Sequence, residues 1–142
     1  MKNINADYKC RVIAKSLVYE TKPFGSIKQN NFFNAVIKIE TDYKPKELFQ
    51  TLKYIERKLG RSKSAKWGPR EIDLDLLFYN EQVYSDFELK IPHRGITERD
   101  FVIIPLCDIA PDLVHPETKI KISDIDLTKI GNNILSKTEY KL

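Results

Sequence analysis

Sulfur and imidazole are scarce in this chain, whose 142 residues include two cysteines, one methionine and two histidines. Cys10 and Cys107 have no CxxC partner and no neighbouring histidine, which argues against a thiolate metal site. Both are expected to be reduced packing residues, with a disulfide between them the minor alternative. No apolar run approaches the length that spans a bilayer, and the N-terminal Met1–Asp7 lacks the hydrophobic core of a secretory signal. A cytoplasmic protein that does not engage a membrane is therefore expected. Internal repeats and low-complexity segments are also absent.

What is present suits a folded enzyme-sized unit. Hydrophobic residues make up 42% and charged residues 31%, an ordinary globular balance, and the length suits one domain over residues 1–142. The formal net charge of +4 favours anionic ligands such as nucleotides. Nucleic acid is a poor match, because the chain has neither an aromatic-rich RNA-binding strand nor a continuous basic helix.

The most informative stretch runs from Lys66 to Tyr79, where Asp73 and Asp75 interrupt an apolar run. On a strand over Ile72–Tyr79, Asp73 and Asp75 share one face while Leu74 and Leu76 share the other. Their Cα atoms would lie about 6.6 Å apart, close enough for two carboxylates to converge on one hard cation or on a pair of them. An Asp-x-Asp alone more often just faces water. Here Arg61, Lys63, Lys66 and Arg70 precede it on a loop with Ser62, Ser64, Trp67 and Gly68, so cations adjoin the acids as phosphate chemistry requires.

Along the chain, Arg11–Glu20 reads as a strand, 21–31 as a mobile loop holding Pro23 and Gly25, and Phe33–Thr41 as a half-exposed strand. Lys44–Leu59 is an amphipathic helix with Pro45 at its start, Gly60 past its end and Leu48, Leu52, Ile55 and Leu59 on one stripe. A turn at Asn80–Glu81 would make Gln82–Tyr84 the hairpin partner of the acidic strand. Thr97 would cap a helix over Arg99–Asp108 that Pro105 kinks or divides. Ser123 opens another helical stretch, and the polar tail Asn132–Leu142 is expected to fray.

The run Trp67-Gly68-Pro69-Arg70-Glu71-Ile72-Asp73-Leu74-Asp75-Leu76, with Ile91-Pro92-His93 and Glu98-Arg99-Asp100-Phe101 after it, resembles the 6-hydroxymethyl-7,8-dihydropterin pyrophosphokinases of folate biosynthesis. Tyr19–Gly25, Asn31–Ala35 and Pro105–Leu113 extend the likeness over nearly all of Val12–Pro116. The resemblance implies an α+β, ferredoxin-like sandwich, an antiparallel sheet with helices packed on it. Relative to that family the first strand, its Gly-Ser-Asn loop and the first helix are expected to be absent. The resemblance implies a monomer; an exposed sheet edge would permit a dimer.

The activity implied is transfer of pyrophosphate from ATP to the hydroxymethyl group of a reduced pterin, releasing AMP, with two Mg2+ ions. The alternative is an impaired pterin- or nucleotide-binding remnant of the family. By resemblance Asp73 and Asp75 are the magnesium ligands, and Arg61 and Arg70 are the basic residues that reach the triphosphate. Phe32 and Phe101 stack on the pterin, Asn34 reads its edge, and Thr21 and Phe24 complete its recognition. Lys53, Glu56, Trp67, Leu76, His93 and Arg99 belong to the ATP side.

Overall fold

The computed structural model describes residues 2–22, 30–59, 72–140 and 142. A short helix α1 (Lys2–Asn5) precedes strands β1 (Cys10–Lys15), β2 (Tyr19–Thr21), β3 (Phe32–Asn34) and β4 (Ile37–Thr41). Helix α2 (Pro45–Lys58) follows, then β5 (Tyr84–Ser85), β6 (Lys90–Ile91), helix α3 (Asp100–Ile109) and β7 (Ile134–Lys137). The architecture is α+β and every strand pairing is antiparallel.

The strand expected over Arg11–Glu20 is two strands, and so is the one expected over Phe33–Thr41. β1 pairs with β4, whereas β2 lies between β3 and β7. Ser16 is where the chain changes partner. Its N–H donates to the Val36 carbonyl at 2.9 Å, but the Val36 N–H donates back to the Ser16 hydroxyl oxygen at 2.9 Å instead of to a carbonyl. A side-chain oxygen in place of a backbone one ends the ladder without orphaning the amide.

Helix α2 follows the sequence pattern closely. The N–H of Lys44 donates to Glu47 Oε2 at 2.8 Å, half of a capping box, and Leu48, Leu52 and Ile55 are buried. Leu59, expected on the same stripe, is largely exposed at the C-cap because the helix ends one residue before it. Helix α3 runs through Pro105 undivided. Pro105 has no N–H to offer the carbonyl four residues back, and its ring is fully buried, so packing supplies what the missing bond does not. Thr97 does not cap α3; it lies in a 3-10 turn, Ile96–Glu98, and Arg99 holds the cap position. The helical stretch expected from Ser123 is a pair of 3-10 turns, Ile122–Asp124 and Leu127–Lys129.

Residues 72–79 join no ladder among the described residues, and β5 pairs with β6 rather than turning back on them. Their backbone is held by other groups: Leu74 by side chains of α2, and the Leu77 carbonyl by the N–H of His93 at 2.9 Å. The tail does not fray from Asn132. The Asp100 carboxylate, buried at the start of α3, accepts from the N–H of Asn133 at 2.6 Å, of Ile134 at 3.0 Å and from Asn133 Nδ2 at 2.9 Å. That seats β7 against β2.

Two hydrophobic clusters result. Leu48, Leu52, Ile55, Leu76, Leu89 and Ile91 form the first; Ile96, Ile103, Leu106 and Ile122 form the second. The segment 72–79 separates them, sending Leu74 and Leu76 to the first and Leu77 and Phe78 to the second. Both cysteines are free thiols. No described helix is long and apolar enough to cross a membrane.

His115 closes the turn after Val114: its Nδ1 accepts from the N–H groups of Glu117 and Thr118, both at 3.3 Å, and its ring meets Phe78 edge-on. Burial holds its pKa below the usual value. A depressed folded pKa contributes stability that is present above the unfolded pKa of about 6.5 and lost as pH falls through the folded value. His115→Gln should therefore flatten the loss of thermal stability between about pH 7 and pH 5. Asp100→Ala should cost about 1–3 kcal/mol in chemical denaturation, since it strips acceptors from two backbone amides. Arg11→Ala, which breaks an exposed pair with Glu40, should cost under about 1 kcal/mol.

Candidate active site

Asp73 and Asp75 are exposed while Leu74 is half-buried and Leu76 buried, so an extended chain alone puts the two carboxylates on one face. Helix α2 fixes the height of that face. Lys53 and Glu56 lie one turn apart and both reach Leu74: its N–H donates to Glu56 Oε1 at 2.5 Å, and its carbonyl accepts from Lys53 Nζ at 3.0 Å. Lys53 also donates to Glu56 Oε1 at 2.8 Å. Glu56 has no exposed surface, and a buried carboxylate is tolerable only with such charged and hydrogen-bonded partners. From this anchorage the ammonium of Lys53 lies 3.7 Å from Asp73 Oδ1 and 3.7 Å from Asp75 Oδ1.

His93, the residue immediately after the cis Ile91–Pro92 peptide, is tied to the same segment by its N–H bond to the Leu77 carbonyl. Its Nδ1 accepts from the Gly95 N–H at 3.2 Å, which leaves Nε2 to carry the proton of the neutral ring. Burial pushes its pKa below the usual value; Arg99 and Lys53 act in the same direction, and Asp75 and Asp73 oppose them. Lys53, Asp73, Asp75, His93 and Arg99 thus share one electrostatic neighbourhood.

Arg99 lies across Gly95, where an added Cβ would come within 2.6 Å of Arg99 Nε and 2.7 Å of Cζ. Gly95 has φ −96°, which any residue adopts, so space for the guanidinium is what calls for glycine. Sequence reasoning passed over Gly95. The available signal was a bare glycine between two predicted ligands, His93 and Arg99.

The residues expected to face the pterin gather at a second place. Thr21, Phe32 and Asn34 lie on the paired strands β2 and β3, with Thr21 opposite Phe32. Asn34 Nδ2 donates to Thr21 Oγ1 at 2.7 Å, which commits one amide hydrogen and orients the group. Phe101 is half-buried near the start of α3, which packs against β2 and β3, and its ring centroid is 5.9 Å from Arg99 Cζ. Leu76, placed on the ATP side by sequence, turns its side chain into the first core, so its contribution to a ligand is confined to the backbone. Phe24, Arg61, Trp67 and Arg70 lie outside the described residues.

Among the described residues, no three His, Cys, Asp or Glu side chains converge as a metal cage. Two half-exposed carboxylates could instead hold a hard cation that keeps water and takes further oxygens from phosphate, and magnesium fits that description. Zinc does not. An acidic pair with an adjacent ammonium, guanidinium and imidazole can hold a cation and a polyphosphate together.

The architecture is that of an α+β domain with two carboxylates and an ammonium on one exposed face. A family model described as 7,8-dihydro-6-hydroxymethylpterin-pyrophosphokinase (HPPK) matches residues 1–111, and the chain belongs to that family. It is 45% identical over 101 residues to the 2-amino-4-hydroxy-6-hydroxymethyldihydropteridine pyrophosphokinase of Aquifex aeolicus, covering 71% of this chain and 63% of that protein. With the protein of the same name from Methylorubrum extorquens it shares 46% over 104 residues, 73% of this chain and 66% of the other. The match to the folic acid synthesis protein FOL1 of Dictyostelium discoideum is 39% over 127 residues, 89% of this chain and 19% of that protein.

The electrostatics can be checked by NMR titration of His93. Arg99→Gln removes a cation that lowers its pKa and should raise it; Asp75→Asn removes an anion that raises it and should lower it. Gly95→Ala should shift the pKa the way Arg99→Gln does, by displacing the guanidinium, with little change in melting temperature, because the crowded atoms end a flexible side chain.

Proposed function

We propose that the chain is the pyrophosphokinase domain its family implies, one unit over residues 1–142 that transfers pyrophosphate from ATP to 6-hydroxymethyl-7,8-dihydropterin. The observation that carries this is the exposed Asp73–Asp75 pair with Lys53, His93 and Arg99 beside it, in a member of this family. In the reaction the hydroxymethyl oxygen attacks the β-phosphorus of ATP. A new O–P bond forms, the bridging bond to the α-phosphate breaks, AMP leaves and the hydroxyl proton passes to solvent.

Asp73 and Asp75 would hold two magnesium ions, which neutralise triphosphate charge and so lower the repulsion an incoming oxygen meets. His93 and Arg99 supply a donor and a cation to the phosphates, with Arg61 and Arg70 added from the basic loop and Trp67 excluding water. Phe32 and Phe101 take the faces of the flat pterin, and Asn34, pre-oriented by Thr21, pairs with its edge. Phe24 completes that pocket. The reading requires a compartment that holds ATP; the cytoplasm meets that need, and two free thiols suit its reducing conditions.

Asp75→Asn keeps the shape and removes one charged ligand. AMP release should fall about 100-fold, the scale of losing one electrostatic stabiliser, with circular dichroism and melting temperature preserved. Activity within a few-fold of the parent chain would sink the assignment of the acidic pair.

A further inference from the structure

We propose that Lys53 is a built-in competitor for the divalent cation at Asp73 and Asp75, an ammonium that keeps the acidic pair partly neutralised and so weakens metal binding to the nucleotide-free protein. The proposal rests on the function proposed above and assigns Lys53 a role toward the metal that is distinct from contact with ATP. Its basis is position. Nζ is 3.7 Å from one oxygen of each aspartate, beyond the length of a direct hydrogen bond, while its shorter contacts go to Glu56 Oε1 at 2.8 Å and the Leu74 carbonyl at 3.0 Å. The ammonium is held from behind by a buried carboxylate and presents only its charge to the pair.

Neither partner of Lys53 is easily given up. Glu56 has no exposed surface, and the Leu74 carbonyl lies between the two aspartates in sequence, so the charge is carried on the same segment it neutralises. Phe49, its ring centroid 5.6 Å from Nζ, adds a third wall. A magnesium-sized ion bound to an aspartate oxygen at about 2.1 Å would sit within about 6 Å of Nζ. Repulsion of a divalent ion by a unit charge at that range, even in a water-like dielectric, corresponds to about tenfold in affinity.

The test uses the full chain and Mn2+ alone as the probe, with free Mn2+ read by electron paramagnetic resonance and no nucleotide present. Lys53→Gln retains an N–H for Glu56 and the Leu74 carbonyl but removes the charge, and should bind Mn2+ about tenfold more tightly. Lys53→Arg keeps the charge and should stay within about twofold of the parent. Equal or weaker binding by folded Lys53→Gln overturns the proposal, as does equal tightening by Lys53→Arg. Should Lys53→Gln fold poorly, the paired variant Lys53→Gln with Glu56→Gln restores a neutral hydrogen-bonded pair and is compared with Glu56→Gln alone: it should bind Mn2+ more tightly than that single variant, and no gain over it overturns the proposal too. Asp73→Asn combined with Asp75→Asn separates the two levels. If Mn2+ binds that variant as it binds the parent, the metal assignment itself falls; if Mn2+ is lost there and Lys53→Gln shows no gain, only the role of Lys53 falls.

Discussion

The carboxylate of Glu56, with no exposed surface, receives the Lys53 ammonium and the Leu74 N–H, and the acidic face is built outward from that grip. Residues 72–79 have no ladder partner among the described residues, so side chains from α2 do what a neighbouring strand would otherwise do. Removing one member of a buried pair typically costs about 3–5 kcal/mol, which makes the joint between helix and segment hard to break piecemeal. The consequence is chemical as well as structural. Leu74 cannot rotate out of the core without pulling its amide from Glu56, so Asp73 and Asp75 are held toward solvent on either side of it.

Helix α3 is fastened to the strands in a comparable way, by a carboxylate near each end. Asp100 seats β7 through Asn133 and Ile134. Asp108 accepts from the Leu17 N–H at 3.1 Å and from the Tyr19 hydroxyl at 3.0 Å, and burial together with that bond pushes the Tyr19 pKa up to about 12. Phe101 sits between these two attachments. A helix tied at both ends to the ladder that carries Thr21, Phe32 and Asn34 keeps its aromatic ring in a defined relation to them.

Much of the site was legible because it is local. The alternation Asp73-Leu74-Asp75-Leu76 reports side-chain direction whether or not the segment joins a sheet, and the stripe of α2 reports burial through its 3.6-residue period. Glu56 and Lys53 were placed near the ligand by family likeness, but no sequence pattern says that Glu56 is fully buried or that Lys53 stands equally close to both aspartates. Gly95 was passed over for the same reason: its constraint is the Arg99 guanidinium lying across it, a contact between side chain and backbone with no periodicity to betray it.

The sequence by itself determined which residues are apolar on which face, where α2 begins and ends, and that two carboxylates two residues apart point the same way, since these follow from backbone geometry and short-range periodicity. Tertiary structure decided the pairings. Ser16 splits one predicted strand by lending its hydroxyl to Val36, Asp100 turns a polar tail into β7, and Glu56 substitutes for a strand beside Leu74. Each of these depends on a single side chain satisfying a backbone amide 18 to 34 residues away in the chain, and hydrogen-bond satisfaction at that range leaves no trace in local pattern.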